Sequence, residues 1–271
     1  MIRRQVGQEY WLITQADHAR LSGRLAEYGG NSRFAAPSSE TAIMGIALHD
    51  SGWPDHDEAP TINPNGQPLD VFETPRSLAL SIWQHSVNRV TERDVYAGLL
   101  VNLHMFSLSI FSTQSTLAPG GTWDLKDPRA RFEVNRFQHK MVEIQESLRL
   151  KLGMRTDLPL EYGVARNSTD PAERRLAKDF QWLAAMDQLS LCICCTQPPF
   201  NTLSSMSLSV NRPVDEVVMV DPWPFKQTKF QVTFPFRRLP VQRYADQTEL
   251  CSLFRSVSPE QFTVTVQNSN I

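Results

Sequence analysis

The length and charge of the chain exclude several classes of protein. Its 271 residues are enough for one large domain or two small ones, and 41% of them are hydrophobic, so a substantial core can form. Lys and Arg number 27 against 29 for Asp and Glu, a formal net charge of -2, which argues against a nucleic-acid-binding surface. No apolar run reaches about 18 residues, so a membrane-spanning segment is not expected.

Two features of the sequence favour a cytoplasmic protein. The N-terminal stretch MIRRQVGQEYW lacks the apolar core of a signal peptide. Three of the four cysteines, Cys192, Cys194 and Cys195, lie together in an apolar segment without a paired CxxC spacing. This arrangement is typical of buried free thiols in a reducing compartment.

The pattern along the chain predicts a short N-terminal hairpin or edge strand from Ile2 to Ile13, followed by six helices. Apolar residues recur at helical spacing in each of the six segments, and capping residues or prolines mark most of the starts. The second helix is expected to continue through His49 and Asp50 and to stop at Gly52. The predicted helices start at Thr14, about Ala42, Thr74, Thr91, Asp127 and Asp170.

A long connection from Trp53 to Glu73 follows the second helix and contains four prolines. Long loops inside a domain are more often functional than idle, so we expect this one to cover the mouth of a site, with Trp53 in the pocket wall. The acidic run from Asp55 to Glu58 favours a solvated loop, with additional metal ligands as the alternative.

The character of the sequence changes at about Asn201, where β-branched and aromatic runs alternate with turn residues. Val214 to Val220, Lys229 to Phe236 and Phe262 to Val266 are predicted to form antiparallel strands. We therefore predict a single domain over residues 1–271, with a helical core at about 14–200 and a β-rich C-terminal extension at about 201–271. The predicted fold class is mainly α, with a small antiparallel sheet that the N-terminal strand is a candidate to join.

Imidazole and carboxylate side chains interrupt the apolar faces of several predicted helices. Burying a carboxylate is costly unless a partner, hydrogen bonds or a metal ion compensates its charge. Several such interruptions on separate helices therefore point to one site inside the protein. The inward set is His18, His49, Asp50, His104 and Asp187, with His85 as a further candidate for the pocket.

The chemistry of this set favours a divalent transition metal, because imidazole nitrogens and carboxylate oxygens are natural ligands of Mn²⁺, Fe, Ni²⁺ or Zn²⁺. A buried polar network without a metal explains the same pattern and stays open. The chain contains no GxGxxG, GxxxxGK[ST] or GxSxG motif, so neither a standard nucleotide-binding loop nor a nucleophile elbow is supported.

The order His18, His49-Asp50, Asp187 resembles the H…HD…D pattern of the HD-domain metal-dependent phosphohydrolases, an all-helical superfamily. The resemblance implies an HD-domain-like helical bundle in which these four residues bind one metal. It also implies His49 and Asp50 as catalytic residues, and His104 and His85 as candidates for a second metal site.

The function that this first resemblance implies is a metal-dependent hydrolase acting on a phosphate ester or a related small molecule. Related ligand sets occur in di-iron oxygenases, which are an alternative within the enzymes. A non-catalytic ligand-binding or scaffold protein with a buried polar cluster is the alternative from a different class. The expected partner is a small molecule, and the sequence leaves the metal, the substrate and the oligomeric state open.

A second resemblance covers nearly the whole chain. The stretches QADHARLSGRLA, HDSGW, VNLHMFSLSIF, MDQLSLCIC and a late WPF resemble an uncharacterised bacterial family, a domain of unknown function. This resemblance implies no activity. It implies only that these stretches belong to one fold.

Overall fold

A computed structural model describes residues 1–115, 121–157, 164 and 168–269. Helices account for 47% of the protein and strands for 20%. The strands are β1 (Ile2–Val6), β2 (Glu9–Ile13), β3 (Thr202–Leu203), β4 (Leu208–Val214), β5 (Val217–Asp221), β6 (Lys229–Pro240) and β7 (Glu260–Asn268). The helices are α1 (Gln15–Glu27), α2 (Glu40–Ala47), α3 (Pro54–Asp57), α4 (Arg76–Arg93), α5 (Val95–Phe111), α6 (Pro128–Lys151), α7 (Pro171–Cys194) and α8 (Gln247–Ser256), with a 3₁₀ turn at Val71–Glu73.

The described strands form one seven-stranded sheet in the order β1-β2-β6-β7-β5-β4-β3. Its neighbouring strands are antiparallel except β5 and β7, which run parallel. The sheet is therefore mixed, and it curls into a half barrel. The β1–β2 hairpin turns at Gly7, whose φ of 57° lies in the left-handed region that favours glycine.

The prediction of a mainly α, HD-domain-like bundle with a small antiparallel sheet is wrong. Strand β2 pairs with β6, so the N-terminal hairpin and the C-terminal strands form one sheet that is a main part of the fold. The inward residues of β6, which include Phe230, Val232 and Phe234, join the same core as helices α1 and α7. Residue spacing within one strand does not encode such long-range pairing, which is why the size of the sheet was underestimated.

Five of the six predicted helix starts lie within two residues of a helix start in the structure. Thr14, Asp127 and Asp170 each accept a backbone N–H of the first turn, which satisfies donors that have no partner inside the helix. The start predicted at Thr91 is wrong, because Thr91 lies inside α4 and the next helix is capped by Asp94. Helix α2 ends at Ala47, before the His49-Asp50 pair, and helices α3 and α8 were not predicted.

Helix packing brings distant parts of the chain to one place. Helix α1 packs on α2 and α7, and α5 packs on α2, α4, α6 and α7. The contact between α1 and α2 is close because Gly23 faces Ala47, where a Cβ on residue 23 would lie 2.4 Å from the Cβ of Ala47. None of the helices in the described ranges combines the length and apolar character needed to cross a membrane.

Candidate metal centre

Four segments supply a buried cluster of imidazole and carboxylate groups. His18 comes from the first turns of α1, and Asp187 comes from the third quarter of α7. His49 and Asp50 lie in the turn that follows α2, and His104 lies in the middle of α5. All five side chains belong to residues that are less than a tenth exposed.

The carboxylate of Asp187 lies at the centre of the cluster. Its Oδ1 atom is 2.9 Å from Nε2 of His18 and 3.4 Å from Nε2 of His49, and its Oδ2 atom is 3.4 Å from Nε2 of His104. The carboxylate of Asp50 completes the group, with Oδ2 3.5 Å from Nε2 of His49 and 3.9 Å from Nε2 of His18. The three imidazoles therefore direct the same ring nitrogen toward two carboxylates.

The backbone fixes the tautomer of His49. Its Nδ1 atom lies 2.8 Å from the carbonyl oxygen of Ile46, and because a carbonyl can only accept, Nδ1 carries a proton. In the neutral ring this leaves the lone pair on Nε2, which is buried and has no aligned hydrogen-bond partner in the described part of the chain. An imidazole held by an Nδ1–H bond to a carbonyl, with Nε2 directed into a cluster of carboxylates, is the arrangement found for metal-binding histidines.

His18 has a comparable outer contact. Its Nδ1 atom lies 2.8 Å from the hydroxyl of Ser190, which is one turn after Asp187 on α7. The same hydroxyl donates to the carbonyl of Asp187 or to Ser22, 2.8 Å away in each case. The Ser190 hydroxyl can therefore accept a proton from Nδ1 of His18 and leave Nε2 of that ring available as a ligand.

The charges in the cluster are not balanced by Arg or Lys. In the described part of the chain, the ion pairs of Asp50 and Asp187 are formed with histidines alone. Burial by itself lowers the pKa of His49, but the carboxylates of Asp50 and Asp187 raise it to about 9. Burial opposes the charge of Asp187, yet its contacts with His104, His18 and His49 hold its pKa well below the usual range.

The donor set fits a metal ion. The ligand atoms of His18, His49 and Asp50 lie within 4.8 Å of one another, and the same holds for His49, His104 and Asp187. The two groups share His49. Within the described ranges, Nε2 of His104 is buried and lacks a hydrogen-bond partner, as does Nε2 of His49. Three imidazoles and two carboxylates are a nitrogen and oxygen set that suits a divalent transition metal, so these buried groups could hold a metal ion.

The cluster lies in the wall of a cavity of about 340 Å³. This volume is in the range of small-molecule sites in proteins. Apolar and aromatic side chains provide most of the wall besides the five cluster residues. These other lining residues are Gln15, Trp53, Val71, Phe72, Trp83, Ser107, Leu108, Phe111, Ser112, Phe180, Ala184, Gln188, Leu191, Phe200, Ser204 and Ser205.

Two expectations about the surroundings of the site need correction. His85 is exposed and does not line the cavity, because the buried face of α4 is set by residues such as Trp83 and Val87. The connection from residue 53 to residue 73 borders the cavity only at its ends, through Trp53, Val71 and Phe72. Its middle lies elsewhere, where Gln67 donates to the hydroxyl of Tyr10 on β2 and Pro60 accepts from Cys251 on α8.

The acidic run of the connection does not add ligands to the cluster. Within it, Asp57 is buried, where its carboxylate accepts the backbone N–H of Gln15 and pairs with the amino group of Met1. Asp55 is exposed and pairs with Arg89. The run therefore anchors the connection to the start of the chain and to α4.

The sequence interpretation missed several residues of the cavity wall and one that contacts the cluster. Gln15, which lines the cavity, precedes His18 by three residues, and Ser190, which contacts His18, follows Asp187 by three. The same helical spacing that identified the cluster residues would have placed both near them. The aromatic residues Trp83, Phe111 and Phe200 carry no comparable pattern, because aromatic side chains in a helix or a loop are most often part of an ordinary core.

The fold and the site define an α+β protein with a buried histidine and aspartate cluster at one side of an apolar cavity. The chain belongs to the family described as protein of unknown function (DUF3891), whose model matches residues 1–241. This match confirms the resemblance to an uncharacterised domain of unknown function. No curated protein and no solved structure matches the chain.

Proposed function

We propose that this protein is a metal-dependent hydrolase that acts on a small molecule bound in the cavity. The observation that carries the proposal is the state of His49, whose Nδ1 is bonded to the carbonyl of Ile46 while its buried Nε2 faces Asp50 and Asp187 with no aligned partner among the described residues. Burial lowers the pKa of His49, but these two carboxylates raise it to about 9, so that without a metal Nε2 holds a proton. A metal ion would take the place of that proton and balance the charges of the two carboxylates.

The ligands in the proposal are His18, His49, Asp50 and Asp187, with His104 completing the set or serving a second ion. Mn²⁺, Fe²⁺, Ni²⁺ and Zn²⁺ all accept such ligands, so the metal has to be identified by measurement. The order of the ligands along the chain supports the analogy with the H…HD…D pattern. The analogy concerns the ligands and not the fold.

The chemistry follows from the position of the cluster in the cavity wall. When bound, a divalent cation would lower the pKa of a coordinated water and polarise the bond to be cleaved. Ser190 and the carbonyl of Ile46 orient the rings of His18 and His49, so that the ligands need little rearrangement. The aromatic wall, with Trp53 beside the cluster, excludes bulk water and strengthens electrostatic interactions within the site.

A di-iron oxygenase is a second candidate within the enzymes. The specific observation in its favour is that the five side chains form two ligand groups that share His49. Each group would then hold one iron ion, and the two ions would supply the chemistry of dioxygen activation. Iron at a stoichiometry of two per chain would favour this candidate over the hydrolase.

Metal analysis and melting curves test the proposal. If metal binds only the native state at about 100 times its dissociation constant, it adds roughly 2.7 kcal/mol of stability. At about 2.1 cal/mol/K per residue, that corresponds to a rise in Tm of roughly 5 °C for a chain of this length. We expect purified wild-type protein to contain Mn, Fe, Ni or Zn, and chelator to lower its Tm by this amount.

The variants separate a metal site from a buried polar network. His49→Ala should abolish the metal-dependent rise in Tm, whereas His139→Ala, which changes an exposed histidine of α6, should keep it. A metal-free wild-type sample whose melting is indifferent to all four metals and to chelator would reject the metalloenzyme. In that case the cluster would be a structural network in a ligand-binding or scaffold protein.

A further inference from the structure

The residues in the cavity wall indicate which chemical class of substrate the cavity can bind. Among the described lining residues there is no Lys or Arg. Groups that bind phosphate in proteins are usually guanidinium or ammonium groups, or backbone N–H groups at the start of a helix. The aromatic side chains of the wall are Trp53, Phe72, Trp83, Phe111, Phe180 and Phe200.

The charge of the cluster also disfavours a phosphate ester as the substrate. Asp50 and Asp187 together carry two negative charges, so one divalent cation held by them and by neutral imidazoles gives a set with no net charge. No excess positive charge would then remain to bind a phosphate ester. Its anionic group would lose its water and gain contacts mainly with aromatic side chains. Moving an unpaired anion into such surroundings costs far more than moving a neutral molecule.

Neutral polar groups of the wall are available for hydrogen bonds. Nε2 of Gln15, Nε1 of Trp53, the hydroxyl of Ser112 and Oε1 of Gln188 are buried and have no hydrogen-bond partner among the described residues. Together they offer donors and an acceptor, which match amide, carbonyl and hydroxyl groups. Gln15 precedes the ligand His18 by three residues and Trp53 follows the ligand Asp50 by three, so their donors flank the cluster.

We infer that the substrate is an uncharged small molecule with an apolar, ring-sized body and a neutral carbonyl, amide or hydroxyl group, which Gln15 and Trp53 hold beside the cluster. This inference rests on the proposed function and narrows it. Within the hydrolases, it favours a carboxylic ester or an amide over the phosphate ester that the sequence resemblance implied. An apolar pocket with a few converging polar groups is the usual form of a small-molecule site.

The test compares ligands that share one ring system and differ in charge. We would measure the binding of 2-naphthamide, which is neutral, and of 2-naphthyl phosphate, by calorimetry on metal-loaded and on metal-free wild-type protein. We expect the amide to bind both forms, and to bind the loaded form at least tenfold more tightly than the phosphate does. Tighter binding of the phosphate, or no binding of the amide, would overturn the inference.

Two variants test the polar contacts. Gln15→Leu and Gln188→Leu each remove a neutral group of the wall, and loss of one hydrogen bond should weaken amide binding by about two- to tenfold. Gln181→Leu is the matched control, because Gln181 is exposed on the same helix as Gln188. Equal affinities in all three variants and the wild type would remove Gln15 and Gln188 from the site.

The outcome is separable from that of the metal test. If the amide binds to a protein that takes up no metal, the protein binds neutral ligands and only the proposal of a metal-dependent hydrolase is rejected. If the protein takes up metal but binds the naphthyl phosphate more tightly, the metal-dependent hydrolase stands and only the inference of an uncharged substrate is rejected. With loaded protein, release of 2-naphthol from 2-naphthyl acetate but not from 2-naphthyl phosphate would support both.

Discussion

His18 and Asp187 are 169 positions apart in the chain, yet Nε2 of the histidine lies 2.9 Å from Oδ1 of the aspartate. The contact joins α1 to α7, which pack against each other. Ser22 and Ser190 form a second buried link between the same helices, 2.8 Å long. His18 therefore reaches Asp187 because α1 and α7 pack side by side.

Ser190 provides a test of how His18 is held. Ser190→Ala removes the hydroxyl that lies 2.8 Å from Nδ1 of His18 and leaves that buried nitrogen without a partner. We expect a loss of about 1–3 kcal/mol in the free energy of unfolding. Outer contacts of ligand histidines are worth about 10- to 100-fold in metal affinity, so metal binding should weaken by that factor.

Ser22→Ala is the control for that prediction. Ser22 is equally buried and contacts Ser190, but its hydroxyl does not reach the imidazole ring of His18. It should therefore reduce the stability measured by denaturant unfolding with little effect on the metal dissociation constant measured by titration. Equal losses of metal affinity in both variants would mean that Ser190 acts through helix packing and not through His18.

The pKa of His49 predicts how the stability of the metal-free protein depends on pH. The carboxylates of Asp50 and Asp187 raise this pKa from 6.5 to about 9 against the effect of burial, so the native state binds the proton more tightly than the unfolded state does. The resulting stability is fully present below pH 6.5 and is lost as the pH rises through 9. A shift of this size corresponds to about 3 kcal/mol.

Urea unfolding of chelated protein between pH 6 and pH 9.5 measures this loss. His49→Ala, which has no group to titrate at this position, should show a flatter profile in the same window. Because the metal and the proton compete for His49, metal affinity should rise with pH over the same range. A wild-type profile that coincides with that of His49→Ala would show that His49 is neutral in the metal-free protein.

The sequence predicted the residues of the buried cluster better than the sheet. His104 and Asp187 continue apolar stripes on long helices, where the period of 3.6 residues determines which side chains point inward. The same argument failed for His85. Ile82 is buried, but it lies at the edge of the buried face of α4, which runs through Trp83 and Val87, so His85 three residues further on falls outside that face.

The limits of the sequence prediction lie in long-range pairing. The alternation of buried and exposed residues in β6 predicts a strand, but no residue near Tyr10 indicates that β2 pairs with it. The parallel pair of β5 and β7 also depends on the path of the chain through β6 and α8. The wall of the cavity depends in turn on that fold, so its lack of Lys and Arg could not be seen before the helices were packed.

Gly23 tests whether the spacing of α1 and α2 positions the ligands. In Gly23→Ala the added Cβ would lie 2.4 Å from the Cβ of Ala47 and 2.9 Å from its Cα, and no side-chain rotation relieves a contact with backbone atoms. Overpacking of this kind costs typically 1–3 kcal/mol, while the better helix propensity of Ala over Gly returns about 1 kcal/mol. We expect a net loss of about 0–2 kcal/mol, which lowers the Tm by up to roughly 4 °C.

The same substitution should weaken metal binding, because Ala47 is two residues before His49 and Gly23 is five residues after His18. If α1 and α2 are forced apart, the imidazoles of the two histidines separate and no longer reach one ion. The double variant Gly23→Ala/Ala47→Gly moves the methyl group from one helix to the other and removes the contact between the two Cβ atoms. Its metal affinity, measured by titration beside both single variants, should recover in part, because the 2.9 Å approach of the new Cβ to the Cα of residue 47 remains. A Gly23→Ala variant that binds metal as tightly as the wild type would show that helix spacing does not control the site.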